Sequence, residues 1–209
     1  MFGLFKSKAK KSNLTYYVYL TKITLYRQLM ATVQEDMNNQ KELFIAYYFD
    51  DTGKELASLL EAADLKFNVL GSMEENTSGI TIGKAESLIK SSKNTFEVNA
   101  YSMILVCEIH PLAGVDIALY DYLTEKYGGA ILRFYTSIDS PILRMFGADR
   151  IIQLLKTMGM EENEMIEHSM VTKSILRAQE KIKEQVIHEK DAHSIEEWME
   201  KNTPDFGGN

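Results

Sequence analysis

The chain has 209 residues, 45% hydrophobic and 25% charged, with a formal net charge of −7. That balance fills one ordinary domain plus an appendage, and the acidic surplus excludes broad electrostatic binding to nucleic acid, which needs a basic face. A single cysteine, Cys107, excludes an internal disulfide, and no stretch reaches the ~20 apolar residues of a membrane helix.

The first element is a tail over residues 1–13. "MFGLFKSKAKK" sets Phe2, Leu4 and Phe5 beside Lys6, Lys8, Lys10 and Lys11. Two readings stand: a solvated tail, or a weak hook on an anionic membrane surface made by those seven residues. It lacks the long apolar segment of a secretory signal, so the expected compartment is the cytoplasm, with peripheral contact at the inner membrane if the hook is real.

"TYYVYL" (15–20) predicts a strand. Tyr26, Leu29, Met30, Val33 and Met37 recur at helical spacing. The unbroken apolar run "LFIAYYF" (43–49) suits a strand covered on both faces. Asp50, Asp51 and Thr52 then open a helix carrying Leu56, Leu59 and Leu60. "KFNVL" (66–70) and "GITIGKA" (79–85) predict strands, and 85–92 a short helix. "YSMILVCEIH" (101–110) is the next strand, with Cys107 as a buried thiol. A helix follows over 115–128, and "AILRFYTS" returns to strand. Such alternation predicts an α/β fold with a mostly parallel sheet of about six strands.

From Ser140 the strands stop. Asp139 and Ser140 are good caps and Pro141 suits a first turn, so 140–158 predicts helix, broken near Gly147. The spacing of Val171, Ile175, Ala178, Ile182 and Val186 predicts one long helix from Val171 to about Trp198. Its stripe requires a partner surface, either the domain itself or a second molecule. Val171, Ile175, Ile182 and Val186 are the candidate partner contacts.

"RFYTSIDSPILRMFGADRI" followed by "LLKTMGMEENEMIEHSMVTKSILRAQEKI" resembles a segment of SecA, the preprotein-translocase ATPase family. The shared residues include Arg133, Phe134, Tyr135, Ser137, Arg144, Phe146, Asp149, Arg150, Gly159, Met160, Ile166, Glu167, His168, Val171, Thr172, Lys173, Ala178 and Gln179. A weaker likeness runs back through "SLLEAADLKFNVL" to about Tyr16. The resemblance implies a RecA-like domain of the helicase C-terminal lobe type over 14–138. It implies a helical extension over 139–200 that resembles the start of the SecA scaffold; "NTPDFGGN" itself reads as the frayed end of a disordered tail over 201–209.

The family's ATP lies between two motor domains, and this chain has lost the parts that would act on it. No GxxxxGK[ST] sequence occurs, and in "GITIGKAES" Ala85 stands where the loop needs Ser or Thr. The stretch after "GITIG" has no Arg, and neither has the whole run from Glu108 to Ala130, although His110 keeps its place before Pro111. No hydrolytic site replaces them: Ser137, His110 and Asp116 lack a nucleophile elbow. The pairs Asp50–Asp51 and Glu161–Glu162 read as cap and loop charges. His188 and His193, with Glu189 and Asp191 beside them, read as a solvated flank of the long helix rather than a metal site. The expectation is a non-catalytic SecA-like module with no cofactor. Its expected partner is a protein, either a translocase component or a second copy, in bacterial protein export at the cytoplasmic face of the inner membrane. The alternative is a half-site lobe that completes an ATP site in trans with a separate motor-domain protein.

Overall fold

The computed structural model describes residues 13–39, 42–71, 79–90, 103–126, 128, 130–157 and 159–204. The seven residues of the membrane-hook reading lie outside them.

Six strands form one sheet: β1 (Tyr16–Tyr19), β2 (Leu43–Tyr47), β3 (Asn68–Val69), β4 (Ile80–Lys84), β5 (Met103–Val106) and β6 (Ile131–Ser137). Their order is β1-β6-β5-β2-β4-β3, and every neighbouring pair is parallel. The expected mostly parallel sheet is therefore parallel throughout. Alternate residues serve opposite faces, as period two requires. Tyr16, Val18, Phe44, Ala46, Ile104, Val106 and Phe134 enter one core layer. Tyr19, Leu43, Ile45, Ile80, Ile82, Leu105 and Tyr135 enter the other.

The helices α1 (Lys22–Asn38) and α2 (Asp50–Ala62) cover the second layer through Leu25, Leu29, Val33, Leu56 and Leu60. The first layer is covered by α3 (Ala85–Lys90), α4 (Ala113–Lys126), α5 (Pro141–Arg144), α6 (Ala148–Thr157), α7 (Ser169–Lys183) and α8 (Ile195–Asn202), with buried contributions from Leu88, Leu119, Leu123, Ile142, Ala148, Ile175 and Trp198. The break near Gly147 falls as expected, with Gly147 at φ 82, where a Cβ is disfavoured. Ser140 caps α5 by position, but its hydroxyl makes no cap bond.

The single helix from Val171 to Trp198 is corrected. It ends at Lys183, the chain crosses without regular structure, and α8 starts at Ile195. The start of α8 is fixed by its own cap, where the Ser194 hydroxyl accepts from the Glu197 amide and Glu197 Oε2 accepts from the His193 amide. The partner contacts are corrected with it. Ile175 and Ile182 are 1% and 0% exposed within the chain's own core, and Val171 and Val186 pack partly against that core. The folding-back alternative is therefore the one observed, and it leaves little of the stripe for a second molecule. The tail also starts later than residue 201, because Asn202 closes α8 and Thr203 is buried.

Candidate functional site

After β2 the chain turns toward β3, and after β5 it turns toward β6, so the topological switch point lies between β2 and β5. Ligands of open α/β sheets bind in the crevice outside the carboxyl ends of the strands at such a point. The residues there are Tyr48, Phe49 and Asp50 after β2, and Glu108, Ile109 and His110 after β5.

Glu108 is the centre of this crevice. Its Oε1 accepts from the amides of Tyr48 (2.6 Å) and Phe49 (2.9 Å), and its Oε2 from the Thr52 hydroxyl (2.7 Å). The two amides lead into α2 and the hydroxyl stands in its first turn, so Glu108 lies at the positive dipole end of that helix. Burial outweighs the three donors and pushes Glu108 up to about 7.

The same device recurs along the edge. Asp139 Oδ1 accepts from the Lys22 amide at the start of α1 (2.9 Å). Asp116 Oδ1 accepts from the His110 amide just before α4 (3.0 Å), while its Oδ2 accepts from the Tyr16 hydroxyl (2.8 Å) and from Gln179 Nε2 (2.9 Å). Burial pushes Asp116 up to about 6. Gln179 also donates to the His110 carbonyl (2.7 Å), so one buried amide ties α7 to both the sheet and α4.

His110 is buried and stacks on Phe49 (ring centroids 5.9 Å), edge-on to Tyr48 and Trp198. Its Nδ1 accepts from the Leu112 amide (3.1 Å), and burial lowers its pKa to about 4, so the ring is neutral. Asp116 therefore holds the backbone of His110 and not its imidazole, so the orienting contact that a hydrolytic triad needs is not made. A cavity of about 160 Å3 opens beside Glu108, between Lys22, Thr52, Ser137, Ser140, Arg144 and Glu196. Across the crest a larger cavity of about 550 Å3 is bounded by Asp50, Lys84 and His110 on the sheet side and by residues 189–193 and Trp198 on the other.

The look-alike loop "GITIGK" serves packing and charge pairing. A Cβ on Gly83 would stand 2.8 Å from Leu70 Cβ and 3.1 Å from Phe44 Cζ. Lys84 pairs with Asp50 at 2.7 Å, and Asp51 pairs with Lys54. The reading of Glu189 as a solvated helix flank is corrected: it lies outside any helix, accepts from Trp198 Nε1 (3.0 Å) and stands 3.6 Å from His110 Nε2. His193 likewise reaches Asp50 at 3.2 Å. Sequence reasoning missed Glu108, Gln179 and Trp198 as tertiary ties; their partners are distant in the chain. Among the described residues no group of three or more His, Cys, Asp or Glu could hold a metal ion, and no helix is long and apolar enough to cross a membrane.

Set against known proteins, the chain is 30% identical over 183 residues to the protein translocase subunit SecA of Christiangramia forsetii, covering 80% of this chain and 16% of that protein. The SecA of Chlorobium phaeobacteroides strain BS1 is 28% identical over 184 residues, covering 81% of this chain and 18% of its own length. Over four fifths of its length the chain is SecA-like. The chain spans less than a fifth of these SecA proteins. A further SecA, from Chlorobaculum tepidum, is 29% identical over 184 residues. No family model matches. The C-terminal part of the Fun30 ATPase domain aligns at 15% identity and TM-score 0.44, covering 76% of this chain and 53% of that one; the strand order, not this likeness, carries the fold. Several of the SecA-like residues quoted above have structural duties here. Thr172 Oγ1 accepts from the Tyr16 amide, Ile166 bridges Val18, and Arg133 donates to the Tyr135 hydroxyl while lying over the Tyr17 ring.

Proposed function

We propose that this chain is a non-catalytic, SecA-like module that acts by protein contact in bacterial protein export, at the cytoplasmic face of the inner membrane. The observation that carries this reading is Glu108. Its carboxyl oxygens already take the two amides that lead into α2 and the hydroxyl of its first turn at the switch point, where a phosphate would have to sit. Asp139 and Asp116 treat the approaches to α1 and α4 in the same way. An incoming phosphate has to displace the Glu108 carboxyl group from its three donors and leave it buried without them, which is costly. The SecA likeness supplies the export setting, and the lack of Arg between Glu108 and Ala130 agrees with the occupied donors of the crevice. In this reading Phe2, Leu4, Phe5 and the lysines at 6, 8, 10 and 11 give weak membrane contact.

Two measurements test it. Titration calorimetry with Mg-ATP is expected to give no binding tighter than about 1 mM, roughly −4 kcal/mol. Affinity purification of the tagged protein from membranes is expected to bring down a component of the export machinery. Micromolar ATP affinity, or stimulation of a partner's ATPase, would overturn the non-catalytic reading in favour of the half-site in trans. Recovery of no export component would overturn the setting.

A further inference from the structure

We infer that residues 189–203 form a hinged flap over the switch-point crevice, able to swing open as one unit while the sheet stays folded.

The flap is bonded mainly to itself. Asn202 clamps Lys190 from both sides, its Oδ1 accepting from the Lys190 amide (2.7 Å) and its Nδ2 donating to the Lys190 carbonyl (3.0 Å). Trp198 Nε1 donates to Glu189, the His193 amide to Glu197, and Lys201 Nζ to the Asp191 carbonyl. Lys201 also pairs with Glu197 at 2.6 Å. Thr203 donates to the Met199 carbonyl. These bonds survive a rigid-body movement.

The polar links from flap to sheet are few. The Asp51 amide donates to the His193 carbonyl (3.0 Å), the His193 ring meets Asp50 (3.2 Å), and Glu189 lies 3.6 Å from His110. The His193 side chain is 74% exposed, so its pairing with Asp50 is a weak surface contact. Between flap and sheet lies the cavity of about 550 Å3; beside it Ile195, Trp198 and Met199 hold the flap in the core layer and Ala192 packs partly against that layer. Upstream, residues 185–188 leave α7 without regular structure, with Ile187 88% exposed. A self-bonded unit that follows the exposed Ile187 and rests over a cavity has the composition of a lid. Opening bares Phe49, Lys84 and the neutral His110 at the one place where the topology prepares a crevice, so the flap gates whatever meets that surface.

The full chain carries its own probe, since Trp198 is its one tryptophan and is 2% exposed. In native-state hydrogen exchange, the Asp51 amide, whose bond crosses from α2 to the flap, is expected to exchange faster than the amides of β2 and β5. The clamped Lys190 amide is expected to stay protected. His193→Ala removes the ring contact with Asp50 but keeps the backbone bond. It is expected to raise Asp51 exchange and acrylamide quenching of Trp198 about two- to fivefold, with the melting temperature unchanged. If Asp51 exchanges only together with β2 and β5 in both proteins, and Trp198 quenching rises only across the melting transition, the flap is a fixed part of the core and the inference falls. A variant with lowered melting and unchanged Asp51 exchange relative to the sheet overturns it equally.

Discussion

Glu108 makes the stability of this molecule depend on pH in an unusual direction for an acid. Its folded pKa of about 7 lies above the ordinary 4.5, so the folded state binds the proton more tightly. The stability it contributes is full below pH 4.5 and is lost as pH rises through 7. Asp116, pushed up to about 6 from 3.8, acts in the same sense at lower pH. His110, lowered to about 4 from 6.5, acts in the opposite sense, its contribution lost as pH falls below 6.5. Comparison with a variant separates them. Urea unfolding of the wild-type chain is expected to lose on the order of 3 kcal/mol relative to Glu108→Gln between pH 4.5 and 8. Equal slopes for the two proteins would refute the assignment to Glu108. Asp116→Ala leaves the His110 amide and one Gln179 bond unmatched in the interior and the Tyr16 hydroxyl with Gln179 Oε1 alone. Its expected cost is about 3 kcal/mol or more in the same assay.

Among the elements, the strands were the most legible. "LFIAYYF" and "ILVC" are apolar without alternation because helices cover both faces of a parallel sheet, and both lie in central strands. The short edge strand β3 was legible only as "KFNVL", of which two residues pair. The carboxyl-terminal helices show what periodicity cannot settle. The stripe from Val171 to Ile182 is real, but it was carried past its end because Val186 happens to keep the spacing. A new start is written at "SIEE", where Ser194 caps α8 and Glu197 accepts from the His193 amide. Ser194→Ala is expected to cost about 1 kcal/mol in chemical unfolding. Ile182→Ala, emptying a fully buried position, is expected to cost about 2 to 5 kcal/mol. If Ile182→Ala unfolded at the wild-type midpoint, α7 would not be held by its stripe. The candidate site was the least legible part. Glu108 follows a strand and precedes a His-Pro pair, and nothing local says that its carboxylate will meet amides some sixty positions earlier.

At the scale of the whole molecule, the proposed membrane contact sets the basic amino-terminal residues against an acidic net charge of −7. Each Lys near an anionic surface adds ~1 kcal/mol, a contribution that salt screens. Flotation on anionic vesicles is expected to be weak, lost at high salt and abolished by deleting residues 1–11. Melting is expected to be unchanged by the deletion. Equal flotation with and without the segment would remove it from the membrane reading.

The sheet also has a history written into its strand order. The first strand of the chain, β1, takes its place beside the last, β6, with Tyr16 opposite Phe134. A chain leaving the ribosome therefore makes Tyr16, Val18 and Leu20, all 0% exposed in the finished molecule, long before their seat exists. Loop closure over most of the domain has to precede that pairing, which makes it a late and slow event. Until Ser137 has emerged, β1 lacks its neighbour in the sheet and its apolar side chains have no seat.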